Sequence, residues 1–139
     1  FDHYRRMADS LGIGDNVSFA GFIPSKKLIE YYNGCKLFAL PSTDPSREGF
    51  GIVPLQAMAC ERPVVVTEIM GMAGDINECG AGMVVRCNDK EALASSMLAI
   101  LKDDDLAGRM GAEGRKLAIG KYSWRRAAEQ IERVYRELL

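Results

Sequence analysis

Histidine is nearly absent from this chain of 139 residues, with His3 the only one. A multi-histidine metal site is therefore excluded within the chain. Cysteine occurs four times, as Cys35, Cys60, Cys79 and Cys87, and never as a CxxC pair. That spacing argues against zinc and dithiol motifs, and a chain of this length needs no disulfide staples. Buried thiols in a reducing, cytoplasmic setting are expected. No apolar run approaches the roughly 18 residues of a membrane span, and no signal peptide opens the chain. An excess of charge is also missing. Eighteen basic and 19 acidic residues leave a net charge of −1, whereas nucleic-acid binders tend to be basic, so no nucleic-acid partner is expected.

The chain does have enough apolar material for one domain with a core, since 47% of its residues are hydrophobic. A single domain over residues 1–139 is predicted. Apolar runs at Val17–Phe22, Leu37–Leu40 and Val64–Thr67 read as strands, with Met83–Arg86 a weaker fourth. Most are continuous rather than alternating, as parallel strands covered on both faces require. Helical segments lie between them. Ser25 is placed to cap Lys26–Tyr32, Pro54 suits the first turn of a helix over Ile52–Cys60, and Asp89 is placed to cap Glu91–Leu101. Beyond residue 89 only helices follow: Glu91–Leu101, Leu106–Ile119 and Trp124–Leu138, the last capped by Ser123. This alternation predicts an α/β fold, a Rossmann-like doubly wound parallel sheet followed by C-terminal helices.

The most informative stretch runs from Pro41 to Cys60. The strand ending at Leu40 enters a polar loop, then Glu48-Gly49-Phe50-Gly51, then a helix whose one strongly polar side chain is Gln56. A glycine loop feeding a helix N-terminus is an anion site in waiting, because free backbone N–H groups and the helix dipole point the same way. A carboxylate just before it, Glu48, would face hydroxyls rather than phosphates. From the residues alone, Glu48 reads equally well as a loop carboxylate favouring the helix dipole.

The order Pro41-Ser42, Glu48-Gly-Phe-Gly51, Gln56-Ala-Met-Ala59 and Pro63-Val-Val-Val66 resembles the donor-binding signature of GT-B glycosyltransferases of the retaining family 4, the glycosyl transferases group 1. Upstream, Asn16-Val-Ser-Phe-Ala-Gly-Phe-Ile-Pro24 is similar to that family's strand and turn. Downstream, Tyr122-Ser-Trp124 is similar to the triplet that opens its last helix. The resemblance implies the C-terminal domain of a two-domain enzyme, with the N-terminal acceptor domain, the first part of this domain and a diphosphate-binding Arg and Lys upstream of Phe1. It implies a UDP-, GDP- or ADP-sugar as substrate, hexose transfer with retention to a saccharide, lipid or small molecule, and no metal. Glu48 would bind the transferred sugar. Gly49, Phe50, Gly51 and Ile52 would meet the sugar and diphosphate, and Gln56 the ribose. Ser42 would line the crevice, and Gly21, Phe22 and Ile23 the base. The isolated chain would not turn over.

Two residues depart from the pattern. Gln56 stands where the family has a second Glu, which weakens the implied ribose contact, and Glu61 stands where it has Gly, so the helix end must be capped differently or strained. A non-catalytic Rossmann-like module that binds a nucleotide or a protein would account for Gln56 as decay of the site. An epimerase of related fold would lack Glu-Gly-Phe-Gly. Met70–Asp75 fits the family's glycine loop poorly and reads as structural. Asp103-Asp-Asp105 reads as a solvated turn with a helix cap rather than a metal site. From Arg115 onward seven basic residues face three acidic ones. That is a solvated face, or in the full-length enzyme a peripheral contact with anionic lipid at the inner face of a membrane.

Overall fold

The computed structural model describes residues 1–46 and 50–138. Three parallel strands, β1 (Phe38–Leu40), β2 (Val64–Thr67) and β3 (Gly82–Val85), pair in the order β1-β2-β3, with Phe38 opposite Val64 and Val64 opposite Gly82. Helix α3 (Ile52–Ala59) connects β1 to β2, and α4 (Ala73–Cys79) connects β2 to β3. Upstream lie α1 (Asp2–Ser10) and α2 (Ser25–Gly34), and downstream α5 (Lys90–Lys102), α6 (Asp104–Gly120) and α7 (Trp124–Leu138).

The parity of β2 divides the interior. Val64 and Val66 point into one core with Tyr32, Ala57, Met58, Met72 and Ile76, so α2, α3 and α4 cover that face. Val65 points the other way, to Val85, Ile100, Leu93 and Met97, beneath α5. All four residues of β2 are buried, as a strand covered on both sides must be. Helix α6 serves both cores, with Ala107 and Met110 against the second and Leu117 and Ala118 against the first. Its seat on α3 is close. A Cβ on Gly111 would strike the Glu61 carbonyl oxygen, and one on Gly114 would sit 3.0 Å from Met58 Cγ.

Most local expectations hold. Asp89 Oδ1 accepts from Ala92 N at 2.8 Å and Asp103 Oδ1 from Leu106 N at 2.8 Å, so each caps its helix. Ser123 Oγ accepts from Arg126 N at 3.4 Å. Glu61 takes φ 58°, the left-handed conformation its neighbours demand, at a cost of about 1–2 kcal/mol for an L side chain. The cysteines are free thiols, but all four are only partly buried, which corrects the expectation of buried thiols.

Two further expectations are corrected. Val17–Phe22 is not a strand, because it has no ladder partner among the described residues, and Phe22 is 92% exposed. Ser25 is the first residue of α2 and caps nothing, with Pro24 at the cap position. Helices α1 and α4 were not foreseen, the latter because glycine and methionine dominate the start of its sequence. The apolar stripe of α7 finds nothing to cover it among the described residues: Trp124 is 89% exposed, and Ile131, Val134, Tyr135 and Leu138 are exposed too.

Candidate functional site

Because the strands are parallel, the segments leaving β1, β2 and β3 emerge on one edge of the sheet, the carboxyl edge where open α/β folds place ligands. The segment after β1 is anchored first. Thr67 Oγ1, at the end of β2, donates to the Ser42 carbonyl oxygen at 2.7 Å, and Cys87 Sγ approaches the same oxygen at 3.6 Å. Thr67 is the buried polar residue of the described chain, at 2% exposure. Its sequence signal was a hydroxyl closing an all-valine strand. Beside it, Thr43, Arg86 and Lys90 line a crevice of about 250 Å³.

Glu48 and Gly49, the carboxylate and first glycine of the predicted site, lie outside the described residues. Gly51 stands at the cap of α3 with φ 89°. That conformation requires glycine, while a Cβ there would meet only the movable terminal methyl of Met70. Among the described residues no side chain caps this helix end, and the N–H groups of Ile52 and Val53 have no intrahelical partner. The apolar first turn thus presents, at the positive end of the helix dipole, backbone donors that no described residue takes up.

Phe50, Ile52 and Gln56 come together on one wall of a groove of about 630 Å³, whose other wall is Ile119, Tyr122 and Trp124. The Phe50 ring meets Tyr122 edge-on, with centroids 5.1 Å apart. Ser42 does not line this groove, and neither do Gly21, Phe22 and Ile23. Those three form a bend with Gly21 at φ 65°, and no hydrogen bond among the described residues ties them to the rest. Gln56 is exposed rather than enclosed. Its Oε1 accepts from the hydroxyl of Tyr32, a 4% exposed residue of α2, at 3.1 Å. Burial, with Cys60 and Cys35 nearby, pushes the Tyr32 phenol above its ordinary range, so it stays a neutral donor.

The far wall rests on a polar cluster that sequence reasoning missed, because its members are 47 residues apart. Tyr122 donates its hydroxyl to Asp75, and Lys121 Nζ reaches both Asp75 oxygens at 2.8 and 2.7 Å. Hydrogen bonds from Lys121 and then Tyr122 hold the Asp75 carboxyl below its usual range. Burial and then the Asp75 hydrogen bond raise Tyr122. Asp75 also lies in the first turn of α4, where the dipole favours an anion. Among the described residues no three His, Cys, Asp or Glu side chains gather as a metal cage, and no helix is long and apolar enough to cross a membrane.

Residues 1–117 match the family pattern described as glycosyl transferases group 1. The chain is 35% identical over 132 residues to D-inositol 3-phosphate glycosyltransferase of Corynebacterium urealyticum, covering 95% of this chain and 30% of that protein. Among solved structures it is similar to sucrose-phosphate synthase of Thermosynechococcus elongatus, with TM-score 0.87 and 30% identity over 99% of this chain and 34% of that one. It is also similar to HepE of Anabaena, solved in complex with UDP, with TM-score 0.84 and 25% identity over 98% of this chain and 36% of that one. The chain thus spans about a third of the length of these relatives. A match over most of its residues, on a shared fold of parallel strands flanked by helices, makes the conclusion direct: the chain belongs to the glycosyl transferases group 1 family.

Proposed function

We propose that this chain is the donor-binding part of a retaining glycosyltransferase, and that it takes a nucleotide sugar at the groove formed by α3 and the start of α7. The observation that carries this reading is the wall of Phe50, Ile52 and Gln56 at the N-terminus of α3, which no side chain among the described residues caps. Bare N–H groups and a helix dipole suit a diphosphate, and an exposed amide one turn along suits a ribose hydroxyl. The UDP held by the Anabaena relative supports the same ligand class. Glu48 and Gly49 complete the site by binding the transferred sugar, with Gly21–Ile23 toward the base and Ser42 in the crevice beyond β1. Catalysis is then mainly donor positioning and stabilisation of the departing diphosphate, whose cations come from outside this chain. No dedicated metal is required, and the acceptor is held by a further domain of the same enzyme, which works in the cytoplasm.

Calorimetric titration of the full-length protein with UDP, GDP and ADP tests the reading. One of the three is expected to bind saturably. Glu48→Ala is expected to abolish transfer from the matching donor while leaving the thermal midpoint within a few degrees. Binding of none of them, or full transfer by Glu48→Ala, overturns the proposal.

A further inference from the structure

We infer that Tyr32 is a positioning residue for the donor groove: its buried phenol commits the Gln56 carboxamide oxygen inward, so that the side chain offers the ligand its NH₂ group. This rests on the reading of the groove as the nucleotide site and adds to it the chemistry by which position 56 recognises ribose.

The geometry has three parts. Tyr32 is held on both sides, by burial in the core at 4% exposure and by an edge-on contact with Phe38 of β1, ring centroids 5.8 Å apart. Its hydroxyl sits 3.1 Å from Gln56 Oε1, and the alternative acceptor, the Val53 carbonyl, is farther at 3.5 Å. Gln56 is an exposed residue and lines the groove beside Ile52 and Phe50. A glutamine on an open helix face would otherwise sample several rotamers and either amide orientation. One bond from a phenol held rigid by its packing removes much of that freedom before any ligand arrives.

The consequence is a change in the sense of recognition. A carboxylate at this position would only accept hydrogen bonds, so the ribose hydroxyl would have to donate. With Oε1 engaged by Tyr32, Gln56 donates through Nε2, and the ribose oxygen accepts. Tyr32 touches no ligand in this arrangement and acts through Gln56 alone.

A double-mutant cycle on the full-length protein separates positioning from packing. The probe is whichever of UDP, GDP or ADP the wild type binds, titrated against wild type, Tyr32→Phe, Gln56→Ala and the double variant, with thermal midpoints alongside. Phe keeps the ring and its contact with Phe38, so folding is preserved. Tyr32→Phe is expected to weaken binding about threefold to tenfold. In the Gln56→Ala background it is expected to weaken binding no further. An unchanged affinity in Tyr32→Phe overturns the inference while the donor site stands. The same loss in both backgrounds also overturns it, since the effect is then structural. If wild type binds none of the three nucleotides, the reading of the groove and this inference fall together.

Discussion

Helix α6 carries glycines at 108, 111 and 114, and replacing each by alanine in turn measures how closely it is seated on α3. In an exposed helix interior Gly is worse than Ala by about 0.8–1.0 kcal/mol. Gly108 is exposed with nothing within 4 Å of a Cβ, so Gly108→Ala gains that amount. At Gly111 the new methyl meets the carbonyl oxygen of Glu61 and lies 2.9 Å from its carbonyl carbon. That backbone is pinned by Glu61 N to Met58 O at 2.9 Å and Arg62 N to Ala57 O at 3.0 Å, so it has little room to retreat. Overpacking costs about 1–3 kcal/mol, and a backbone obstacle belongs at the upper end. After subtracting the propensity gain, Gly111→Ala is expected to lose about 1–2 kcal/mol. Gly114→Ala meets Met58 Cγ at 3.0 Å and Cβ at 3.2 Å, a flexible side chain that moves aside, so its two effects nearly cancel. At about 3–5 °C per kcal/mol for a domain of this size, thermal melts should rise for 108, stay near wild type for 114 and fall for 111. If Gly111→Ala melts at or above wild type, the close seat of α6 on the end of α3 is wrong.

Two further outcomes follow from single residues. Asp75 has its folded-state pKa depressed by Lys121 and Tyr122, so its contribution is present above the ordinary carboxylate range and is lost as pH falls through the depressed value. Tyr122 is raised by burial and by Asp75, so its contribution is present below the ordinary phenol range and is lost as pH rises through the raised value. Between those limits stability from this cluster is flat, and Asp75→Asn should flatten the acid limb of a melting-temperature profile; an unchanged acid limb refutes the role given to Asp75. Glu61→Gly relieves the left-handed strain of about 1–2 kcal/mol but frees the unfolded backbone and removes an exposed pair with Arg115 at 3.6 Å. A net gain of about 0.5–1 kcal/mol in denaturant unfolding is expected, and a loss shows that the freed unfolded backbone and the Arg115 contact together outweigh the strain.

Local patterns in the chain were enough to determine its family, its α/β class and most of its elements. Continuous valines at 64–66 can only be a strand covered on both faces, Asp89 and Asp103 cap their helices through contacts three residues away, and Glu61 had to strain where glycine was missing. Each of these depends on neighbours in sequence. The tertiary structure decided what depends on distant partners. Val17–Phe22 has the composition of a strand, but strand formation needs a ladder, and none pairs with it among the described residues. Gln56 stands out in sequence as the one strongly polar side chain of an apolar helix, but only the fold gives its oxygen to Tyr32, 24 residues away. Asp75 meets Tyr122 across 47 residues, and Thr67 holds Ser42 across 25. Periodicity and capping are legible because their energetics are local, but a groove is made by elements that pack only after the chain has closed.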